Sequence, residues 1–318
     1  MANASPSRFG AINGDTDKDA LFLKVFAGEV LATFEQTTVT MDKHMVRTIA
    51  SGKSAQFPKV GNITAAYHTP GAEILGQAVN SGEIVVTIND ILLSDAFIAD
   101  IDEAKTHFDV RGIYTKKMGE ALANQMDKHV LQTMIQAAQA SATLTGDNGG
   151  TIITSANSGT DADALVQAIL DAAQAMDEKN VPSEGRFAYL KPAQYYLLAN
   201  SSKVLNVEFG NSGNGSVASG KVYAVGGVTL VKTNNLPTTN ITTGVTAGGA
   251  ATRQAVDARN TTCLVAHTSA AATVKLLDLA TEMHYDYRRL GTLMYGKYAV
   301  GHAPLRPESA VQIRTATP

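Results

Sequence analysis

Tryptophan is absent from the chain, and cysteine occurs once, at Cys263. A single thiol cannot close an intrachain disulfide, and it cannot supply a Cys-based zinc site. It also fits a reducing compartment. With no Trp and only 6% aromatic residues, a ligand-stacking site built on Trp is excluded. A charge excess of either sign is missing as well: 26 Lys and Arg against 29 Asp and Glu leave a formal net charge of −3. That excludes a strongly basic nucleic-acid binder. No apolar run reaches the ~20 residues that a membrane span needs. The longest, such as 84–93, are broken by polar residues. The first 19 residues, with Asp15, Asp17 and Asp19, carry no signal-peptide core. No internal repeat is visible.

What is present is enough for a substantial core. Hydrophobic residues make up 44% of 318 positions and charged residues 17%, which argues for a folded chain of about two domains or one elaborate one. Residues 1–18 read as an arm of small and polar residues. Over 19–35, Leu21, Phe22, Val25, Phe26, Val30 and Phe34 recur at helical spacing, with Asp19 as a cap. Residues 37–40 read as extended. In 44–90, Thr and Val alternate with polar residues, and glycine and proline recur. Strand-like stretches at 47–57 and 83–92 flank a long polar segment, the pattern of a protruding hairpin.

The strongest periodicity lies further on. Val110, Tyr114, Met118, Leu122, Met126, Val130 and Met134 fall four apart with no proline between them. A helix over 108–138 would be ~45 Å long, although Gly112 and Gly119 weaken it locally. A second helix is expected from a cap at Thr160 or Asp161 to Lys179, stopped by Asn180-Val181-Pro182. Residues 186–190 read as a strand, and 192–199 as a short helix with Pro192 in its first turn. Strands are expected at 221–225 and 228–232 around Gly226-Gly227, at 264–267 and at 273–277. A long strand or paired strands are expected over 285–300. Gly/Ser/Thr-rich loops are expected over 141–160, 211–220 and 238–260.

Motifs for chemistry are thin. Ser51-Gly52-Lys53-Ser54 ends like a phosphate-binding loop, but the required earlier glycine is replaced by Arg47. Gly213, Gly215 and Ala218 fit a dinucleotide fingerprint, yet a strand follows them where a helix is needed. Asp100, Asp102, Glu103 and His107 cluster near a helix start, and Glu103 and His107 share a face. Acids at a helix N-terminus are expected from its dipole alone. No HExxH or GxSxG pattern occurs. An arm, a long hairpin and a very long helix make little sense in a monomer: an extended segment cannot bury its own surface, so a partner should cover it.

One series of motifs, in order along the chain, carries a family likeness. Leu21-Phe22-Leu23-Lys24-Val25-Phe26-Ala27-Gly28-Glu29-Val30-Leu31, His44-Met45-Val46-Arg47 and Ser51-Gly52-Lys53-Ser54-Ala55-Gln56-Phe57-Pro58 resemble the major capsid protein of T-seven-like short-tailed bacteriophages. Asp100-Ile101-Asp102-Glu103-Ala104, His107, Asp109-Val110-Arg111, Asn180-Val181-Pro182, Gly185-Arg186, Tyr189, Gly301-His302 and Leu305-Arg306-Pro307-Glu308 continue the match.

The resemblance implies an α+β fold of the HK97-like phage capsid type. Its parts would be an N-terminal arm and short helix (1–42) and an extended β-hairpin loop (43–90). A peripheral domain with a long spine helix (91–154), an axial domain (155–275) and a return to the peripheral domain (276–318) would follow. It implies pentamers and hexamers in an icosahedral shell, a scaffolding protein, a portal protein, and enclosed double-stranded DNA without sequence-specific binding. It implies no enzyme activity, no cofactor and no membrane; localisation would be the virion, assembled in the host bacterial cytoplasm.

Candidate contacts between subunits are Lys53, Phe57, Lys59, Tyr67 and Glu73 in the loop. Asp109, Arg111, Asp286, Arg288, Arg289 and Arg306 are candidates elsewhere. Some relatives join a Lys to an Asn; Lys53 and Lys59 occupy the right loop but lack an acceptor context, so no cross-link is expected. Two other readings compete: a tail or adaptor ring protein, and a metal-dependent oligomeric enzyme built on Asp100, Asp102, Glu103 and His107.

Overall fold

The computed structural model describes residues 38–61, 63–71, 73–88, 91–105, 110–201, 215–216, 221–222, 224–242 and 254–317. The arm expected over 1–18 and the helix expected over 19–35 lie outside them. The described chain is mixed helix and strand and falls into two compact units. One comprises the described residues within 90–126 and 276–300 together with Thr38, the other those within 39–89, 127–275 and 301–318.

In the first unit, β4 (Leu92–Ala99) runs antiparallel to β15 (Gly291–Pro304), with Gly291 opposite Ala99 and Tyr298 opposite Leu92. β15 also neighbours the distal part of β14 (Ala271–Asp286). The expected 285–300 strand is therefore two strands joined by a turn at 287–290. Ile98, Met118 and Met294 form a small core with Ala96 and Tyr114 against it. Met118 belongs to α2 (Val110–Gln139), a 30-residue helix that matches the expected spine within the described residues. The acids at 100–103 lie on α1 (Asp100–Lys105), ahead of α2 in the chain, and residues 106–109 between them are outside the described residues.

The second unit is built on a six-stranded sheet in the order β5-β16-β13-β6-β10-β9. These are β5 (Thr151–Thr154), β16 (Ala310–Arg314), β13 (Thr261–His267), β6 (Arg186–Leu190), β10 (Val228–Lys232) and β9 (Ala224–Val225). β13 is central and antiparallel to both neighbours, which is why six of its seven residues are buried. One face is covered by α3 (Ala162–Glu178) and α4 (Pro192–Ala199). Leu165, Ile169 and Met176 from α3 meet Leu190, Cys263, Val265, Val311 and Ile313 from the strands. On the other face Gln139, at the end of α2, donates to Gln312 Oε1 at 2.8 Å and to the Asp257 carbonyl at 2.7 Å.

Local chemistry sets the limits of α3. Asp161 caps it, accepting from Asp163 N at 3.0 Å. At the other end Asn180 takes φ +57°. Val181 N then bonds the Met176 carbonyl at 3.0 Å, and Asn180 N the Asp177 carbonyl at 2.9 Å, a Schellman closure ahead of Pro182. Buried Arg186 reinforces it, donating to the Pro182 and Ala173 carbonyls and to Asp177 Oδ1. Gly226 (φ +57°) and Gly227 (φ +76°) make the two-residue turn joining β9 to β10. A Cβ on Gly226 would lie 2.7 Å from the Leu170 side chain.

The 47–57 stretch is two strands, not one. β1 (Met45–Thr48) pairs in parallel with the first residues of β14, Ala272 to Lys275. After a turn at Gly52 (φ +111°), β2 (Ser54–Val60) begins. It pairs antiparallel with β3 (Ser81–Thr87), from Ser54 opposite Thr87 to Val60 opposite Ser81. The expected 83–92 strand is likewise divided between β3 and β4. The 37–40 stretch, so far as it is described, bends into a 3-10 turn (Met41–Lys43) rather than extending.

Candidate assembly interface

The β2–β3 ribbon has an inner and an outer face because side chains alternate along a strand. Ala55, Phe57 and Val86 are buried, while Val60 and Val85 are exposed. Beyond Val60 the chain runs out through 61–80 with no regular element among the described residues apart from a turn at Pro70-Gly71. Gly61 N bonds the Asn80 carbonyl at 2.8 Å. Gln77 ties the limbs again, donating to the Thr64 carbonyl at 2.7 Å and accepting from Thr64 Oγ1 at 3.0 Å.

This extension carries large apolar side chains in water. Ile63, Tyr67, Ile74 and Leu75 are 69%, 106%, 79% and 86% exposed. Such a concentration on a narrow projection marks a surface meant to be covered.

The root of the ribbon is anchored in the second unit. Lys59 Nζ lies 2.9 Å from Asp147 Oδ2 and 3.5 Å from Glu308 Oε2, and all three side chains are largely buried. Beside them a polar cleft of about 200 Å³ is also lined by Val60, Lys179, Arg306 and Ser309. Lys179 donates to the Gly149 carbonyl at 2.6 Å and to Thr151 Oγ1. Burial pushes its ammonium below the usual lysine range, against the attraction of Glu308. Sequence reasoning missed this triad, because its members are distant in the chain and follow no spacing rule.

The candidate contact residues occupy different environments. Lys53 is exposed in the turn before β2, and its carbonyl accepts from Ile88 N. No helix follows that turn, so the phosphate-loop fragment has no structural support. Phe57 faces inward on the ribbon, with Arg47 stacked on its ring at 5.7 Å. Lys59 is engaged within its own chain. Tyr67 and Glu73 are exposed on the extension. Asp109 and the Arg111 side chain lie outside the described residues. Asp286, Arg288 and Arg289 share the β14–β15 turn, where the Asp286 carboxylate accepts from Arg288 N at 3.0 Å and lies 3.5 Å from Arg289 Nη1. Arg306 is exposed at the cleft.

Of the acidic cluster, only Asp100 and Asp102 have described side chains. Asp100 accepts from Tyr285 Oη at 2.6 Å, Asp102 is buried, and His107 lies outside the described residues. Among the described residues no three His, Cys, Asp or Glu side chains converge on a metal position. No helix among them is long and apolar enough to cross a membrane.

A family model for the Gp10A-like major capsid protein matches residues 56–314. The chain belongs to that family. It is 35% identical to the major capsid protein of Escherichia phage T7, covering 92% of this chain and 91% of that protein. It is 37% identical to the major capsid protein of Enterobacteria phage T3 at the same coverage. Among solved structures it is similar to the capsid of the cyanophage P-SCSP1u, with a TM-score of 0.82 and 39% identity over the whole of both chains. The mature capsid of bacteriophage PhiM1 shares the fold at a TM-score of 0.76 and 21% identity over 93% of each chain. The fold is the HK97-like capsid fold, of α+β class. This is a viral capsid protein, and its exposed extension belongs to a molecule that meets other copies of itself.

Proposed function

We propose that the chain builds pentamers and hexamers of an icosahedral shell around double-stranded DNA. Assembly would be guided by a scaffolding protein and a portal protein in the bacterial cytoplasm, and the shell would expand on packaging. The chain would act as a wall, without turnover. The division into arm (1–42), extended loop (43–90), peripheral domain (91–154, 276–318) and axial domain (155–275) belongs to the same proposal. The observation that carries it is the apolar surface of Ile63, Tyr67, Ile74 and Leu75 on a tied two-stranded projection, in a chain of the capsid family. Covering each such side chain contributes about 1.5–3 kcal/mol before ordering costs. A contact of this kind is heterologous, one subunit's projection lying on a different surface of the next, and such contacts close into rings. The nearly balanced charge suits a wall that encloses DNA without gripping it.

The test is negative-stain microscopy after co-expression with the scaffolding protein. Wild type should form closed shells with five- and six-fold units. Ile74→Asp/Leu75→Asp should leave folded subunits, with unchanged circular dichroism, that do not close. Shells of normal yield from the double variant, or one fixed ring size from wild type, would overturn the reading.

A further inference from the structure

A buried hydrogen-bonded chain runs through the second unit around Val39 to His44. Asp127 on α2 accepts from Val39 N at 2.8 Å, Thr40 N at 3.2 Å and Thr40 Oγ1 at 2.6 Å. His44 places Nδ1 2.7 Å from the Thr40 carbonyl and Nε2 2.7 Å from Thr273 Oγ1. Thr273 Oγ1 is in turn 2.8 Å from His302 Nδ1. The His302 ring stands edge-on to His129, centroids 6.2 Å apart. Thr40, His44, Thr273 and His302 are all buried.

The chemistry of the atoms fixes where the hydrogens lie. A carbonyl oxygen only accepts, so His44 Nδ1 carries a proton. In the neutral ring Nε2 is then bare and takes the Thr273 hydroxyl proton. The threonine oxygen is left to accept from His302 Nδ1–H. Every hydrogen points one way, from His302 through Thr273 and His44 to Thr40. A second proton on His44 reverses its link to Thr273. The hydroxyl then faces two N–H donors, its own hydrogen loses its acceptor, and a cation is buried.

We propose that this chain is a proton-sensitive latch that holds residues 39–48 against β14 and α2 of the second unit at neutral pH and releases them on acidification. The groups facing His44 are Asp42 on its own turn, Asp127 on α2 and Lys275 on β14, with His302 on β15 reaching it through the Thr273 hydroxyl. The two carboxylates favour the charged ring, but burial outweighs them and lowers the His44 pKa below its ordinary value. The sign follows: the latch is whole above the free-imidazole pKa of about 6.5 and weakens as pH falls below it. The inference rests on the hydrogen-bond geometry and stands whether or not the assembly reading does.

Hydrogen exchange on the full unassembled chain from pH 7.5 to 5.0, corrected for intrinsic rates, tests it. Opening of residues 39–48 should rise by up to about 30-fold at pH 5.0, the limit for one imidazole. Strands β13 and β16 should stay protected. His44→Gln, which cannot titrate, should flatten the response. Thr273→Val should open the segment already at pH 7.5. Opening of 39–48 in step with β13 and β16, or an unchanged pH response in His44→Gln, would overturn the proposal. Wild-type imidazole nitrogen NMR is independent of variant folding: a proton on Nε2 rather than Nδ1 of neutral His44 would also overturn it.

Discussion

Replacing Lys59 with methionine isolates the physics at the root of the projection. The change keeps the apolar stem and removes one charge. Asp147 Oδ2 and Glu308 Oε2 then lose the ammonium at 2.9 and 3.5 Å, inside a site where the three side chains are only 8–14% exposed. Breaking a buried pair from one side costs about 3–5 kcal/mol, because an uncompensated charge stays behind. Lys179 still attracts Glu308, so the lower end of that range applies. Neutralising all three, in Lys59→Met/Asp147→Asn/Glu308→Gln, removes the stranded charges and should recover most of the loss. With no tryptophan in the chain, urea unfolding is followed by far-UV circular dichroism. The single variant should lose about 3 kcal/mol, and limited proteolysis should cut 61–80 sooner than in wild type. A single variant within about 1 kcal/mol of wild type, or a triple variant no better than the single, would refute the reasoning.

Two further outcomes follow from packing and burial. A Cβ on Gly301 would stand 2.5 Å from the Thr87 carbonyl oxygen, and backbone cannot yield as a side-chain end can. Gly301→Ala should therefore cost about 1–3 kcal/mol in urea unfolding, and a neutral result would show that β15 can move away from the end of β3. His129 is lowered to about 4 by burial, with Lys128 adding to the effect. A depressed histidine contributes stability that is whole above pH ~6.5 and lost as pH falls towards its folded value, here about 2–3 kcal/mol after allowance for partial exposure. An NMR titration of its ring should show a midpoint near 4, and a midpoint near 6.5 would refute the assignment.

The features legible in the sequence are those whose cause is local. Asp161, Asn180 and Pro182 bound α3 through bonds made within a few residues of each. Pro192 opens α4, and Gly226-Gly227 turns β9 into β10. The spine helix was legible because five of its apolar residues four apart, Met118 to Met134, are buried as the spacing requires. The strand boundaries near Gly52 and at 88–91 were not. No proline interrupts either stretch, and only pairing with distant strands decides where a ladder ends.

The projection and its anchor divide along the same line. An extended Gly/Pro-rich segment that cannot bury its own surface already called for a partner, although its apolar residues Ile63, Ile74 and Leu75 stood out only once their exposure was seen. The groups that hold the segment in place leave no trace, since Lys59, Asp147 and Glu308 are ordinary surface residue types until three elements bring them together. The same holds for His44, Thr273 and His302, which share no motif and meet only when β14 and β15 bring them alongside the 3-10 turn. Charged and titratable groups that the fold assembles from distant positions are thus where sequence patterns are blind. They are also the groups able to set the angle of a projection or respond to a proton, because an ion pair or an imidazole changes its energy by several kcal/mol with one substitution or one ionisation.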